Sequence, residues 1–287
     1  MSKPASLGSG ALAALKGSVR VAGILGLILF LSPLQFIILV SHRGDSWALP
    51  IFFHRCVLRL LSFEVRVHGA IAVNGPVLYV PNHSSYLDVI VLGSILRASF
   101  VAKSEVEDWP VIGALAKLQQ TAFVERRAVR AAEQRDDLHQ RLLRGQSIVL
   151  FPEGTSSDGQ QTLPFKSSLF GITETEGTDS QPISVQPITI LCTELGGLPI
   201  GRAWRPYYAW FGDMTLVGHL WHVLKLGHFT IDVAFYEPVM IKDFPNRKAL
   251  AAHCRHIIAQ GVEQCLTGRP FPDHFAALQT VEKKLLA

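Results

Sequence analysis

Charged side chains are scarce in this chain. Asp, Glu, Lys and Arg make up 17% of its 287 residues, against about 25% in an average soluble domain. Hydrophobic residues make up 48% and the mean hydropathy is +0.27. A disordered chain has the opposite balance, so disorder is excluded. The net charge of +4 is small and scattered, which excludes a dedicated nucleic-acid binder. Cysteine is sparse: Cys56, Cys192, Cys254 and Cys265 form no CxxC pair, and four cysteines in 287 residues make no disulfide scaffold. Reduced thiols facing the cytoplasm follow. No GxxxxGK, GxGxxG or GxSxG run occurs. Nucleotide hydrolysis, dinucleotide redox chemistry and serine-hydrolase chemistry therefore lack their usual signals. His219, His222 and His228, like His253, Cys254, His256 and Cys265, show no closed metal-ligand spacing. Neither a metal nor another cofactor is expected.

A long apolar run is present. Val21 to Val40 carry no charge over 20 residues, enough for a hydrocarbon core of about 30 Å. Pro33 and Gln35 interrupt the run, so a kink or a shallow insertion is open. Lys3, Lys16 and Arg20 precede it, and no small-x-small cleavage site follows at Ser41-His42-Arg43. A retained anchor is expected rather than a cleaved signal, whose apolar region is shorter. A second apolar run extends from Trp47 to Phe63. As a helix it gathers His54, Arg55 and Arg59 into an arc of about 140°, at 100° per residue. That pattern suits an amphipathic helix lying on a lipid surface, and equally a helix packed on the core.

From residue 64 the pattern changes. Short β-rich runs recur at Glu64–Val67, Val77–Val80, Phe100–Ala102, Thr121–Val124, Ser147–Phe151, Val185–Leu191 and Phe229–Phe235. Helical patterns stand between several of them, at Tyr86–Leu96, Val111–Leu118, Ala128–Leu143 and Arg247–Leu266. Strands alternating with helices predict an α/β fold, a mixed and mostly parallel sheet flanked by helices, behind an N-terminal membrane-anchoring segment. The expected division is an anchor over 1–63, one catalytic domain over 64–266 and a tail over 267–287. Ser156–Gln181 is polar and turn-rich, and reads as loop around a short helix near Phe165–Phe170.

Two turns could carry chemistry. The run Pro81-Asn82-His83-Ser84-Ser85-Tyr86-Leu87-Asp88 leaves an apolar strand and opens a helix, a frequent place for functional residues in open α/β sheets. With His83 in the turn and Asp88 in the first helical turn, the carboxylate can curl back to one imidazole nitrogen. The other nitrogen is then free to take a proton from a hydroxyl. Ser85-x-x-Asp88 also reads as a variant capping box, which would make Asp88 a helix-start residue only. The second turn is Phe151-Pro152-Glu153-Gly154-Thr155, at the end of a β run. Its glycine lets the backbone approach a ligand, and its exposed amides could hold an anion. Trp204, Tyr207, Tyr208, Trp210 and Phe211 form an aromatic cluster that reads as packing, with an acyl-chain wall as the other option.

Together with the apolar N-terminal run, these residues resemble the glycerolipid acyltransferases typified by lysophosphatidate acyltransferase. The resemblance covers about 64–240 and rests on four ordered blocks. His83 and Asp88 match the His-x4-Asp block, which implies a general base and its orienter. Ala122-Phe123-Val124-Glu125-Arg126 is similar to the second block, implying that Arg126 meets the acceptor head group. Phe151–Thr155 is similar to the acceptor-binding third block, implying that Glu153, Gly154 and Thr155 position the acceptor, with Arg126 and Lys166 as the cations that hold its anionic group. Val185-Gln186-Pro187-Ile188 resembles the fourth, and Lys103, Pro110 and Gly113 fall where the family has a Lys…Pro-x-x-Gly stretch. Two departures stand out: Gln120 replaces the glycine that opens the second block, and Ser156 replaces an arginine after the third. Serine supplies neither the charge nor the bidentate contact of arginine to a phosphate. With Phe211–Met214 and His219-Leu220-Trp221, this points toward the bacterial lyso-ornithine lipid acyltransferases, with a lysophosphatidate acceptor as the alternative. The implied donor is acyl carrier protein or acyl-CoA, and the implied location is the bacterial inner membrane with the site facing the cytoplasm.

Overall fold

A computed structural model of the chain describes residues 7–125, 131–174, 183–269 and 271. Two helices come first, α1 (Leu7–Ser41) and α2 (Ala48–Leu61). The strands and helices that follow are β1 (Glu64–His68), β2 (Val77–Pro81), α3 (Leu87–Gly93), β3 (Ala98–Lys103), α4 (Ile112–Leu118), β4 (Ala122–Val124), α5 (Ala131–Leu143), β5 (Ser147–Val149), β6 (Ser184–Leu195), β7 (Leu198–Pro199), α6 (Leu216–Leu226), β8 (Phe229–Phe235), β9 (Val239–Met240) and α7 (Arg247–Thr267). The sheet order is β1-β8-β6-β2-β5-β3-β4, with β7 and β9 paired to β6. Every pairing along the main path is parallel except β6 with β8. This is the mixed, mostly parallel sheet that the alternation of runs predicts.

The central strands are buried on both faces, as a helix-covered parallel sheet requires. Val77 and Tyr79 of β2 point to one core, with Leu61, Leu87, Leu92 and Phe229. Leu78 and Val80 point to the other, with Leu142, Phe170, Leu250 and Ile258. The strand period of two thus splits one apolar run between two layers. A 3-10 helix at Ser167–Thr173 lies where the short helix in the polar loop was expected. Helix α6 and the short edge strands β7 and β9 were not read from the sequence. Two-residue strands carry no period, and Gly218 with two histidines obscured the helical pattern of α6.

Helix α1 is a long apolar helix near the N-terminus, a membrane-anchor candidate by length and composition. It runs unbroken through Pro33 and lies along the domain. Arg20, 4% exposed, donates to the carbonyls of Leu224 at 2.8 Å and Leu61 at 3.1 Å, near the ends of α6 and α2. Gly17 packs on Trp221 and Gly23 on Leu60. Further along, Gln35 donates to the carbonyls of Ser46 and Leu118. Arg20 and Gln35 are about 22 Å apart along the helix, at 1.5 Å per residue, so the domain holds α1 side-on at both points.

The expected cationic face of α2 is not formed as drawn. His54 is buried, its Nε2 meets Gln119 Oε1 at 2.5 Å, and its ring fills the space left by Gly93. Burial pushes its pKa down to about 4, so it is neutral at pH 7. Arg55 donates to the Ser94 carbonyl, and of the three only Arg59 is exposed. The His54 side of α2 packs on the core, because α3 brings a glycine against it.

Candidate active site

Strands β2 and β5 are parallel neighbours, so the turns at their carboxyl ends meet. The β2 turn is held from four sides. Asn82 exchanges two hydrogen bonds with Ile190 of β6, at 2.8 and 2.9 Å. The His83 carbonyl accepts from the amide and hydroxyl of Ser157. The His83 amide donates to Glu153 Oε1 at 3.1 Å, and the Ser84 carbonyl accepts from Trp210 N–H at 2.8 Å. A turn fixed this way can present one side chain in one orientation.

That side chain is His83. Its ring stacks on Phe151, with centroids 4.0 Å apart, and it is 20% exposed. Its Nδ1 lies 3.0 Å from Asp88 Oδ2. Asp88 is fully buried and its Oδ2 also accepts the amides of Ser84 at 2.8 Å and Ser85 at 2.9 Å. Its Oδ1 accepts from the Tyr208 hydroxyl at 3.0 Å, with the Ser84 hydroxyl at 3.5 Å. One half of the capping box is present, since Asp88 Oδ2 accepts the Ser85 amide, and the same oxygen faces His83 Nδ1. Asp88 thus caps the turn that opens α3 and orients His83. A carboxylate only accepts, so Nδ1 carries the proton and Nε2 is left to receive one.

Glu153 is buried beside His83 and Asp88, and burial pushes its carboxyl up to about 8, assisted by the negative charge of Asp88. Gly154 takes φ +68, and a side chain there would meet Lys166 Nζ at 2.6 Å. Both the turn and the packing of the lysine thus require glycine. Thr155 and Lys166 are exposed next to it. Of the seven site residues read from the sequence, six are gathered here, and Arg126 lies outside the described residues. Tyr208 and Trp210 were read as packing. Their role could not be seen locally, because the contacts span more than a hundred residues.

Comparison with known proteins gives the family. A family model described as Acyltransferase matches residues 64–191. A lyso-ornithine lipid O-acyltransferase from Brucella abortus is 40% identical over 264 residues, 90% of this chain and 99% of that protein. The chain belongs to the acyltransferase family. A Rhizobium meliloti protein of the same name is 41% identical over 84% of this acyltransferase and 82% of its own length. The crystal structure of the 1-acyl-sn-glycerophosphate acyltransferase PlsC from Thermotoga maritima shares the fold, with a TM-score of 0.61 at 21% identity over 91% of this chain and 98% of that one.

Both sequence departures have a structural correlate in this acyltransferase. Gln120 takes φ +58 directly after α4. Its amide donates to the Lys117 carbonyl, and the amide of Thr121 donates to that of Ala116. These are the two bonds of a Schellman motif, which places Gln120 at the left-handed position that favours glycine. Ser156 donates to the carbonyl of Trp210 and so ties the segment after Tyr208 to the turn. Among the described residues, no group of three or more His, Cys, Asp or Glu is placed to hold a metal ion.

Proposed function

We propose that this acyltransferase moves a fatty acyl group from a thioester to the free hydroxyl of lyso-ornithine lipid. The observation that carries the reading is the His83–Asp88 pair, fixed at the carboxyl ends of β2 and β5 with its outer nitrogen open. Nε2 takes the proton of the acceptor hydroxyl as its oxygen attacks the thioester carbon. Asp88 holds the ring and stabilises the imidazolium. The tetrahedral adduct collapses with loss of the C–S bond, and the proton passes from His83 to the departing thiolate. A thioester is already activated, so this sequence of steps calls on no metal and no covalent enzyme intermediate. Gly154, Thr155 and Lys166 position the acceptor, and Arg126 supplies a second cation. The choice of acceptor rests on the Brucella and Rhizobium relatives and on Ser156, whose hydroxyl is spent on Trp210 where the family has an arginine. The donor is acyl carrier protein or acyl-CoA.

The side-on packing of α1 favours an anchor that lies in one leaflet, at the cytoplasmic face of a bacterial inner membrane. A helix crossing the bilayer would draw the domain packed along it into the hydrocarbon.

The test supplies membranes carrying the protein with one labelled acyl thioester, and offers lyso-ornithine lipid and lysophosphatidate separately. His83→Ala is the control. Product from lyso-ornithine lipid, absent in the variant, supports the reading. Product from lysophosphatidate alone assigns the other acceptor, and wild type equal to His83→Ala with both acceptors removes the proposed mechanism. Ser156→Arg is expected to raise the share of lysophosphatidate product.

A further inference from the structure

Glu153 lies in the block whose family counterpart meets the acceptor, yet its surroundings assign it other work. It is 3% exposed. Its Oε1 accepts the His83 main-chain amide at 3.1 Å. Its Oε2 is sealed from solvent and makes no close hydrogen bond, although the Leu163 main-chain amide faces the carboxyl. An oxygen without access cannot meet a lipid head group that arrives from outside. Phe151, two residues earlier, supports the ring of the same histidine. The end of β5 therefore holds His83 twice, by its side chain and by its main chain.

We propose that Glu153 is a positioning residue that braces the main chain of His83 as a neutral carboxylic acid and does not bind the acceptor. The role in turnover rests on the reading of His83 as the general base. The charges that face Glu153 are consistent with it. Asp88, from the segment after β2, opposes a second anion, and Arg255, from α7, favours one. Lys166 holds its ammonium against the neighbouring Gly154. Burial, with the opposing charge of Asp88, outweighs Arg255 and the main-chain amides of His83 and Leu163 that favour the charged form. A neutral acid still accepts from the His83 amide through Oε1. Ionisation would place an unsolvated anion beside Asp88 and loosen the turn that carries His83.

Two measurements test the assignment on the full-length protein. In the first, kcat and acceptor KM are followed from pH 6 to 9.5 with labelled acyl thioester and lyso-ornithine lipid. In Glu153→Gln, which mimics the neutral acid, KM stays within two-fold of wild type and the fall in kcat centred near pH 8 disappears. In Glu153→Ala, kcat drops at least 50-fold while KM moves less than three-fold. A ten-fold rise in KM for Glu153→Gln, or an alkaline limb that persists in it, overturns the proposal. The second measurement does not depend on turnover. The thermal midpoints of wild type and Glu153→Gln are compared from pH 4 to 9. As pH rises from about 4.5 to about 8, the unfolded chain releases the Glu153 proton before the folded one does. Wild type must then lose midpoint relative to the variant over that window and run parallel above it. Parallel curves throughout overturn the neutral-acid assignment. Turnover equal in wild type and His83→Ala refutes the general-base reading instead, and the midpoint comparison still decides the charge state of Glu153.

Discussion

Removing one oxygen atom, in Tyr208→Phe, tests how the His83–Asp88 pair is held. The Asp88 carboxylate is fully buried, and its two oxygens are served unequally. Oδ2 accepts from His83 Nδ1 and from the amides of Ser84 and Ser85, all within 3.0 Å. Oδ1 has one short donor, the Tyr208 hydroxyl at 3.0 Å, and the Ser84 hydroxyl at 3.5 Å. The phenylalanine variant keeps the ring in contact with Phe63 and Phe229, so packing is preserved and the hydrogen bond alone is lost. A hydrogen bond to a charged group contributes about 1.5–3 kcal/mol. Ser84 can close part of the gap, which places the expected loss near the lower end, at about 1.5–2 kcal/mol. For a domain of this size that corresponds to roughly 3–8 °C in thermal midpoint. A carboxylate free to rotate also orients His83 less well, so kcat should fall about ten-fold with acceptor KM little changed. Differential scanning fluorimetry and steady-state acyl transfer read the two effects. A midpoint within 1 °C of wild type together with full kcat would refute the argument, since Oδ1 would then be adequately served without the tyrosine.

Gly154→Ala should cost about 1–2 kcal/mol for the left-handed backbone alone, and should displace Lys166, whose ammonium lies 2.6 Å from the added carbon. A rise in acceptor KM and a lowered thermal midpoint are expected, and an unchanged KM would mean that the lysine does not face the acceptor. Gln120→Gly should raise the midpoint or leave it level, because relief of a strained left-handed residue offsets the added freedom of glycine in the unfolded chain. A clear loss would show that the 3.4 Å contact from the Gln120 side chain to Ser46 outweighs the strain. His54, held at about 4 against 6.5 for the free side chain, binds its proton in the unfolded chain first as pH falls. Its contribution is complete above about pH 6.5 and is lost on descent to about pH 4, by at most ~1.4 kcal/mol per unit. A His54→Gln variant should show a flatter stability curve over that window, and an identical slope would refute the burial argument.

Much of this architecture follows from local pattern. The apolar runs at Val77–Val80 and Val185–Leu191 became the strands β2 and β6, because they are short, rich in β-branched residues and, for the first, bounded by Gly-Pro and Pro-Asn. The apolar run at Val21–Val40 lies within α1, because about 20 uncharged apolar residues are too long for a strand and suit a helix. His83 and Asp88 are five residues apart across a strand-to-helix turn, so chain connectivity alone brings them within hydrogen-bond range. Gly154 announces its turn because only glycine takes a positive φ without strain. What local pattern could not decide is which groups are sealed and which are served. Tyr208 reaches Asp88 across 120 residues, and Arg20 reaches Leu224 across 204. His54 stands in a run that reads equally as a lipid-facing arc, and packing against Gly93 and Gln119 makes it neutral and internal. Glu153 sits in a motif that reads as a ligand contact, and the packing around the turns sealed its second oxygen. Spacing along the chain sets which atoms can meet through a short loop. Burial and charge state depend on elements that arrive from elsewhere in the sequence, and here only the tertiary structure assigns them.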